Sequence, residues 1–334
     1  MKTIQDVAKK AGVSTATVSH VLNNTRFVSG ETKETVLQAI HELNYHPSTI
    51  ARSLSTRKTN TIGMVVSQIT NPFFGEMIRG VVDVITPQSY SLLLCTTEES
   101  PDQEEAYFQL LFGRAVDGFI AAATSRKWAA MQMLEAAQAP IVFVDRKFEG
   151  MSGPFVGVDN EGGAYQAVSH LIQDGHTRIG LVAGPSSLST MQERLRGYRQ
   201  ALQEHGIPFD ERLVACGDLG VDEGRRCALG LLNSPSHPTA LFCNNNSLTL
   251  GTLLALKQLE RKCPDDVALA VFDDHPWAAV ASPALTAVRQ PAYEVGRTAA
   301  TLMLQTLGGE PIAQARVILK TELVIRQSCK SGCH

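Results

Sequence analysis

The start of this 334-residue chain constrains its fold more than any other segment, because two short apolar repeats at helical spacing are separated by a glycine. Apolar side chains recur at helical intervals in residues 4–11, and Gly12 follows where a left-handed turn ends a helix. Ser14 then stands where its hydroxyl can cap a second helix, whose apolar stripe lies in residues 18–22. A third apolar repeat covers residues 31–43. The pattern predicts a small all-α head with a helix-turn-helix.

The outward face of the second predicted helix carries small hydroxyl side chains and one imidazole, and no carboxylate. Such a face suits close approach to base edges and phosphates, whereas the alternative is a plain solvated helix. Through residue 60 the chain has eight Lys or Arg against four Asp or Glu, a net charge of +4, while the remainder carries −7. A basic head on an acidic body favours contact between the head and a polyanion. The face comprises Thr15, Ala16, Thr17, Ser19 and His20.

About 275 residues remain after the head, which is enough for two further lobes. Apolar runs alternate there with helical repeats, and this alternation predicts parallel sheets wrapped by helices. The predicted fold class is therefore a small all-α head plus an α/β body of two doubly wound lobes, similar to the periplasmic-binding-protein fold. The predicted strands lie at residues 61–69, 90–95, 118–123, 140–144, 155–158, 178–183, 240–243, 267–272 and 317–325.

These features resemble the LacI/GalR family of bacterial transcription regulators, with the head and hinge most similar to the purine-repressor and ribose-repressor branches. The resemblance implies a sequence-specific regulator, and we expect a repressor of a carbohydrate or sugar-acid utilisation operon. It implies base readout by Thr15, Ala16 and His20. A hinge helix over residues 48–56 is expected to form on DNA, with Leu54 entering the minor groove, although Leu54 is alternatively a linker residue packed on the body. The full predicted DNA-binding set is Thr3, Ser14, Thr15, Ala16, Thr17, Ser19, His20, Asn23, Arg26, Ser48, Ala51 and Leu54.

The resemblance also implies a two-fold homodimer on a near-palindromic operator, with dimer contacts expected on helices around residues 74–84 and 248–259. Ligand binding between the lobes is expected to release the operator. The predicted domains are a head over 1–46, a hinge over 47–59, an effector-binding and dimerisation body over 60–328 and a tail over 329–334. Within the body, the N-lobe is expected over about 60–158 and 288–318, and the C-lobe over about 159–287 and 319–328.

Polar and aromatic residues follow the predicted strands, where doubly wound sheets bind ligands. Asp, Asn and Arg side chains supply donors and acceptors for vicinal hydroxyls, and aromatic faces suit the apolar side of a sugar ring. In an alternative interpretation, Phe73 and Phe74 belong to the core, and residues 244–246 only cap a helix. The effector contacts implied by the family resemblance are Phe73, Phe74, Arg146, Thr190, Arg194, Leu219, Asn245 and Asp273.

We hypothesise a sugar or sugar acid as the ligand, because the two arginines of this set make a negatively charged ligand easier to hold. The alternative is that Arg146 pairs with Asp145, Asp273 or Asp274 and that the ligand is a neutral sugar. Purine is disfavoured, because Leu188 stands where the purine branch uses an arginine.

No nucleophile elbow, Walker-type loop or zinc-protease pair is present, so the sequence does not predict an enzyme, and no cofactor or metal is expected. The acidic residues of 98–105 are expected to be a solvated helix start. Seven cysteines without pairing by spacing favour the reducing cytoplasm, with the regulator at the nucleoid and not at a membrane. Cys329, Cys333 and His334 are expected to form a loose tail.

A solute-binding module without a DNA role is the main alternative function. Such a module has no use for Thr15, His20 or Leu54, and it would need an export signal, which the sequence does not show.

Overall fold

The computed structural model describes residues 2–23, 26–45, 58–123, 129–148 and 150–329. Contacts divide the chain into two compact units, Met1–Thr59 and Asn60–His334. The predicted hinge residues Ser48, Ala51 and Leu54 lie outside the described residues, as do Cys333 and His334.

The first unit holds the helices α1 (Ile4–Ala11), α2 (Thr15–Asn23) and α3 (Gly30–Glu42). Thr3 and Asp6 cap α1 reciprocally: the Thr3 N–H donates to the Asp6 carboxylate at 2.8 Å, and Thr3 Oγ1 accepts the Asp6 N–H at 3.3 Å. These bonds from Thr3 also lower the pKa of Asp6. Gly12 ends α1 with a φ of +67°, as the helix-turn-helix pattern predicts. The core of the head is Val7, Ala8, Val18, Val21, Val36 and Ala39.

The second unit contains two six-stranded sheets within its described residues. The first sheet has the strand order β11-β5-β4-β3-β1-β2, and the second has the order β12-β10-β9-β8-β6-β7. The orders follow one pattern, so each sheet is the centre of a doubly wound lobe, named here the N-lobe and the C-lobe. This confirms the predicted fold class. The strands are β1 (Thr61–Val66), β2 (Ser91–Thr96), β3 (Gly118–Ala121), β4 (Ile141–Val144), β5 (Phe155–Val158), β6 (Ile179–Ala183), β7 (Val214–Cys216), β8 (Ala240–Cys243), β9 (Ala268–Phe272), β10 (Thr286–Arg289), β11 (Arg316–Leu319) and β12 (Glu322–Val324).

The last predicted strand, residues 317–325, is wrong as a single element. Its first half, β11, pairs in parallel with β5 of the N-lobe, and its second half, β12, pairs antiparallel with β10 of the C-lobe. The chain therefore crosses between the lobes at residues 320–321. It also crosses after β5 and after β10, so neither lobe is continuous in sequence.

Helices cover both sheets and pack in pairs: α4 on α12, α7 on α8, and α9 on α10. Glycines allow this close approach, because a Cβ at Gly296 of α12 would lie 1.9 Å from the carbonyl oxygen of Met77, and one at Gly251 of α10 would lie 2.1 Å from that of Val221. The helices are α4 (Pro72–Ile85), α5 (Pro101–Gly113), α6 (Ala129–Ala136), α7 (Asn160–Gln173), α8 (Ser189–Glu204), α9 (Val221–Leu232), α10 (Asn246–Gln258), α11 (Pro276–Val280) and α12 (Ala292–Gly308).

Cys329 corrects the expectation of a loose tail. Its side chain is buried in the C-lobe core, and its thiol donates to the carbonyl oxygen of Leu269 at 3.4 Å. The neighbouring Ser328 hydroxyl also donates to that carbonyl oxygen, at 2.5 Å. The segment after β12 is thus fixed on β9, at least as far as Cys329.

Candidate functional site

The carboxyl ends of both sheets face one cleft, and each lobe contributes an aspartate in a left-handed backbone conformation. Asp145 follows β4 with a φ of +65°, and Asp273 follows β9, the matching strand of the C-lobe, with a φ of +82°. Each N–H still donates to the next strand, at 3.0 Å from Asp145 to Val156 and at 2.9 Å from Asp273 to Val288. Aspartate tolerates this conformation better than most residues. The two lobes therefore present matched turns to the cleft.

A small pocket of about 30 Å³ lies between these turns, and every residue of the predicted effector set lines it. That these residues contact an effector remains a prediction. The lining comprises Ser67, Gln68, Asn71, Phe73, Phe74, Glu99, Asp145, Arg146, Thr190, Met191, Arg194, Leu219, Asn245, Asp273 and Gln290. A larger pocket of about 480 Å³ adjoins it and shares Phe73, Asp273 and Gln290.

On the N-lobe side, Arg146 is 5% exposed and pairs with the carboxylate of Glu99 through two bonds. Its Nη1 donates to Glu99 Oε2 at 2.6 Å, and its Nη2 donates to Glu99 Oε1 at 2.7 Å. Its Nε lies 3.3 Å from an Asp145 carboxylate oxygen. Burial acts to lower the pKa of Arg146, but the bonds with Glu99 outweigh it and raise that pKa, while burial raises the pKa of Asp145. Arg146 thus pairs with Asp145, which was one of the alternatives that the sequence left open. Its second partner is Glu99, and not Asp273 or Asp274.

A solvated acidic run is the sequence-based expectation for residues 98–105, and it is wrong for two of them. Glu99 reaches into the cleft, and Glu104 is fully buried and acts electrostatically on Arg146. The physical reason is that a buried guanidinium requires nearby counter-charge.

On the C-lobe side, Arg194 is 3% exposed and is held by neutral groups. Its Nε donates to Asn160 Oδ1 at 2.9 Å, and its Nη1 donates to the carbonyl oxygen of Asn244. Its guanidinium lies over the Phe272 ring, 3.6 Å from the centroid. Burial lowers the pKa of Arg194. Nε and Nη1 are thus committed, whereas Nη2 makes no hydrogen bond within the part of the chain that the structure describes and can serve a ligand.

The aromatic and amide residues of the cleft have double roles. Phe74 is buried in the N-lobe core, as the alternative interpretation held, while Phe73 is only half-buried, with its ring centroid 5.2 Å from that of Phe74. Asn245 caps α10 by accepting the Leu248 N–H at 2.8 Å, and it also lines the pocket. Asp273 accepts the Asn246 N–H at 3.3 Å and an amide hydrogen of Gln290.

Several lining residues escaped the sequence-based prediction. Ser67 and Gln68 follow β1, but the predicted strand 61–69 extended past them, so the strand-end rule pointed to later residues. Glu99 follows β2, and its acidic neighbours favoured a solvated helix start instead. Gln290 stands where the chain leaves β10 for α12, and no sequence motif marks it.

Buried polar atoms without a hydrogen-bond partner among the described residues concentrate around this cleft. They include Ser67 Oγ, both amide atoms of Asn244, Asn246 Nδ2 and Gln290 Oε1. Buried polar groups in folded proteins nearly always have partners, so such a concentration indicates a site built to receive a polar molecule.

The head presents the predicted DNA-facing residues on and beside α2. The Thr17 N–H donates to Ser14 Oγ at 3.1 Å, which confirms Ser14 as the cap of this helix. Thr15 and Ala16 are exposed, and Ser19 is half-buried. Of the other predicted contacts, Thr3 caps α1, His20 is half-buried, Asn23 ends α2 and Arg26 is exposed. Within the described ranges, no helix is long and apolar enough to span a membrane.

Comparison with known proteins gives a match for each of the two units. Residues 3–48 match the family model of bacterial regulatory proteins, lacI family, and residues 168–329 match the periplasmic binding protein-like domain. The HTH-type transcriptional repressor PurR of Aliivibrio salmonicida (strain LFI1238) is 37% identical over 332 residues, covering 98% of this chain and 99% of the relative. The chain belongs to the lacI family. It is a DNA-binding transcriptional regulator with a ligand-binding body.

Solved structures of lacI-family regulators align over nearly the whole chain. The transcriptional regulator CelR in complex with cellobiose is 34% identical with a TM-score of 0.75, covering 98% of this chain and 100% of that one. The lac repressor dimer bound to operator and the anti-inducer ONPF is 26% identical with a TM-score of 0.87, and the coverage is 99% of both chains. A solute-binding module without a DNA role leaves the matched head unexplained.

Proposed function

We propose that this regulator is a repressor that binds a near-palindromic operator as a homodimer and responds to a small polyhydroxylated effector, a sugar or sugar acid, held between its lobes. The observation that carries the effector half is the concentration of unpartnered buried polar atoms beside two buried arginines. Amide, hydroxyl and guanidinium groups in that arrangement suit the alternating donors and acceptors of vicinal hydroxyls. The genes it controls are then those of carbohydrate or sugar-acid utilisation.

The half-buried ring of Phe73 adds an apolar face at the same pocket, which suits the C–H side of a sugar ring. The similarity to CelR, whose complex contains cellobiose, supports a saccharide. The similarity to PurR favours a purine instead, and Leu188, buried beside the start of α8, offers such a ligand no charged contact. The saccharide is the better match to the polar atoms of the cleft.

An effector that contacts both arginines from within the small pocket requires the lobes to move, because about 30 Å³ accommodates about one water molecule. Polar contacts join the lobes beside the pocket: the Lys147 N–H donates to Ser189 Oγ at 2.8 Å, and Lys147 Nζ donates to Glu193 Oε1 at 2.9 Å. A sugar that parts or rotates the lobes rearranges these contacts. The expected coupling to operator affinity is roughly 1 to 3 kcal/mol, in the direction of release.

Dimerisation is proposed to use the expected helix around residues 248–259 together with the end of α11. Leu250 and Leu254 on α10 are 44% and 41% exposed, and Val280 is 82% exposed. Leu250 and Leu254 lie one turn apart on α10, and exposed large apolar side chains that adjoin on a helix are typical of an interface. We place the dimer at the nucleoid, where operator DNA is found. Sedimentation of a Leu254→Glu variant tests the dimer, and an unchanged dimer would reject this face.

The effector class is tested by thermal shift of the full chain against neutral sugars, sugar acids, sugar phosphates, nucleosides and purines. A saccharide or sugar acid is expected to raise the melting temperature and, when added to an operator complex, to release the DNA. Stabilisation by purines alone would overturn the saccharide assignment. Tightening of the operator complex would reverse the proposed direction of control.

The DNA half is tested by base-substitution binding curves on one operator half-site. His20→Ala is expected to relax the preference at one position at a cost of roughly 1 to 3 kcal/mol, whereas Arg26→Ala weakens all sequences more evenly. Leu54→Ala is expected to reduce DNA bending together with affinity. Equal losses on specific and random duplexes for His20→Ala would remove its readout role, and unchanged bending would assign Leu54 to the linker.

A further inference from the structure

We propose that Glu99 sets the charge of the effector: by occupying Arg146 from within the cleft, it admits neutral polyhydroxylated molecules and excludes carboxylates and phosphates. The inference rests on the proposed effector role of this cleft, and it selects the neutral form from the two that the sequence leaves open.

The Glu99–Arg146 pair has the geometry with which arginine binds a carboxylate ligand. Both terminal nitrogens of Arg146 are engaged in parallel bonds of 2.6 and 2.7 Å to the two Glu99 oxygens. The Arg146 side chain is 6% exposed and that of Glu99 is 23% exposed, so the pair lies at the wall of the pocket with Glu99 nearer to solvent. A ligand carboxylate therefore meets a guanidinium whose Nη1 and Nη2 already bind the Glu99 carboxylate.

The backbone places Glu99 there at a conformational cost. Glu98 and Glu99 both adopt left-handed conformations, with φ of +46° and +62°, directly after β2. Two consecutive non-glycine residues in this region persist only where the surroundings hold them. The Glu98 N–H donates to the Ser67 carbonyl oxygen at 2.7 Å, and the Ser100 N–H donates to that of Thr97 at 2.8 Å. The turn is thus fixed on the end of β1, and Glu99 is held at the pocket by the fold.

Charge balance at the pocket leads to the same conclusion. Its lining contains two cations, Arg146 and Arg194, and three carboxylates, Glu99, Asp145 and Asp273, so the formal charge is −1. An anionic ligand would enter a site with no surplus positive charge and would have to displace Glu99 into a less favourable environment. A hydroxyl ligand has no such conflict, because each Glu99 oxygen has lone pairs left to accept from it.

Glu98 offers a matched control on the same turn. It is exposed, does not line the pocket, and accepts the Thr96 hydroxyl at 3.0 Å. Glu98→Gln therefore removes one negative charge next to the site and leaves the Glu99–Arg146 pair intact. Glu99→Gln instead removes the carboxylate that binds Nη1 and Nη2 of Arg146.

The experiment measures binding of paired neutral and acidic compounds, such as glucose and gluconate or ribose and ribonate, to the full chain by thermal shift and calorimetry. The wild-type chain and Glu98→Gln are expected to bind the neutral members only. Glu99→Gln is expected to gain at least tenfold in affinity for the acids and to lose affinity for the neutral compounds. Glu99→Asp keeps the charge and is expected to keep the exclusion. Operator binding without ligand verifies that each variant is folded.

Preferential binding of the acids by the wild-type chain, or an unchanged ratio of acid to neutral affinity in folded Glu99→Gln, would overturn the inference while leaving the saccharide effector in place. Stabilisation of the wild-type chain by purines alone would instead overturn the proposed effector class. In that case gluconate still decides the role of Glu99, since a failure of Glu99→Gln to gain affinity for it rejects the exclusion.

Discussion

The N-lobe and the C-lobe turn their chains in the same way at the end of the matching strands β4 and β9, but the next side chain has opposite charge. Asp145 is followed by Arg146, and Asp273 is followed by Asp274. Arg146 is neutralised by Glu99. Asp274 is neutralised by cations, since its oxygens accept from Arg289 at 2.7 Å and from Arg326 at 2.8 and 3.0 Å.

The difference shows how one backbone turn serves two purposes. Glu99 and Arg146 line the small pocket, so their pairing determines what charge a ligand meets. Asp274 instead joins Arg289 at the end of β10 to Arg326 after β12, and its side chain is 4% exposed. The charged residue after the turn therefore acts on ligand choice in the N-lobe and on the cohesion of two neighbouring strands in the C-lobe.

Replacing the glycines at the helix pairs is expected to have the largest effect, and it tests whether the lobes are equally closely packed. Gly296→Ala in the N-lobe and Gly251→Ala in the C-lobe each place a Cβ against a backbone oxygen. Each is expected to lower the free energy of unfolding by about 3 kcal/mol or more, measured by urea denaturation. Gly230→Ala is the control, because its Cβ meets nothing within 4 Å. If Gly296→Ala and Gly251→Ala lower the free energy of unfolding by amounts that differ by several kcal/mol, the two lobes are not equally closely packed.

Removing the two acidic partners separates their roles. Asp274→Asn leaves two cations without their shared carboxylate and is expected to cost about 3 kcal/mol of stability at pH 7. Glu99→Gln is expected to cost about 1 kcal/mol, because Asp145 remains beside Arg146. Urea denaturation of both variants measures the difference. Equal costs would mean that Glu99 is as structural as Asp274.

Low pH should remove the loss of stability that Asp274→Asn causes. Burial raises the pKa of Asp274, but the bonds from Arg326 and Arg289 outweigh burial and hold that pKa below its usual range. A depressed pKa in the folded state gives stability that is present above the ordinary value of about 3.9 and lost as pH falls through the lower folded value. The deficit of Asp274→Asn should thus be constant from pH 7 to 5 and shrink below about pH 4. A deficit that is as large at pH 3 as at pH 5 would assign the loss to packing.

Arg194 tests whether the two buried arginines differ in ligand binding. This arginine of the C-lobe is held by neutral groups, and its Nη2 can bind a ligand. Arg194→Met is expected to weaken the effector by at least tenfold, about 1.4 kcal/mol, in calorimetry. Arg196→Met on the same helix removes only an exposed pair with Glu161 and serves as the control. Equal effector affinity in the two variants would exclude Arg194 from the site.

The parts of the molecule that local pattern determines were predictable from sequence. The turn at Gly12, the cap at Ser14 and the position of Asp273 directly after a strand follow from residue type and spacing alone. Glu99 was not found, because its partner Arg146 is 47 residues away and an acidic run before a helix is usually solvated. The break between β11 and β12 was missed because residues 317–325 have the composition of one strand apart from Lys320 and Thr321. Only the pairing of each half with a different sheet separates them.

The three chain crossings have a consequence for biosynthesis. The N-lobe sheet begins at Thr61, yet its edge strand β11 ends at Leu319, and the helix α12 that packs on α4 starts only at Ala292. The C-lobe receives its own edge strand, β12, five residues later. A ribosome must therefore synthesise almost the entire body before either sheet can be completed. Both lobes then gain their last strands nearly together, and until that moment β5 and β10 in the nascent chain lack these partners and are accessible to chaperones.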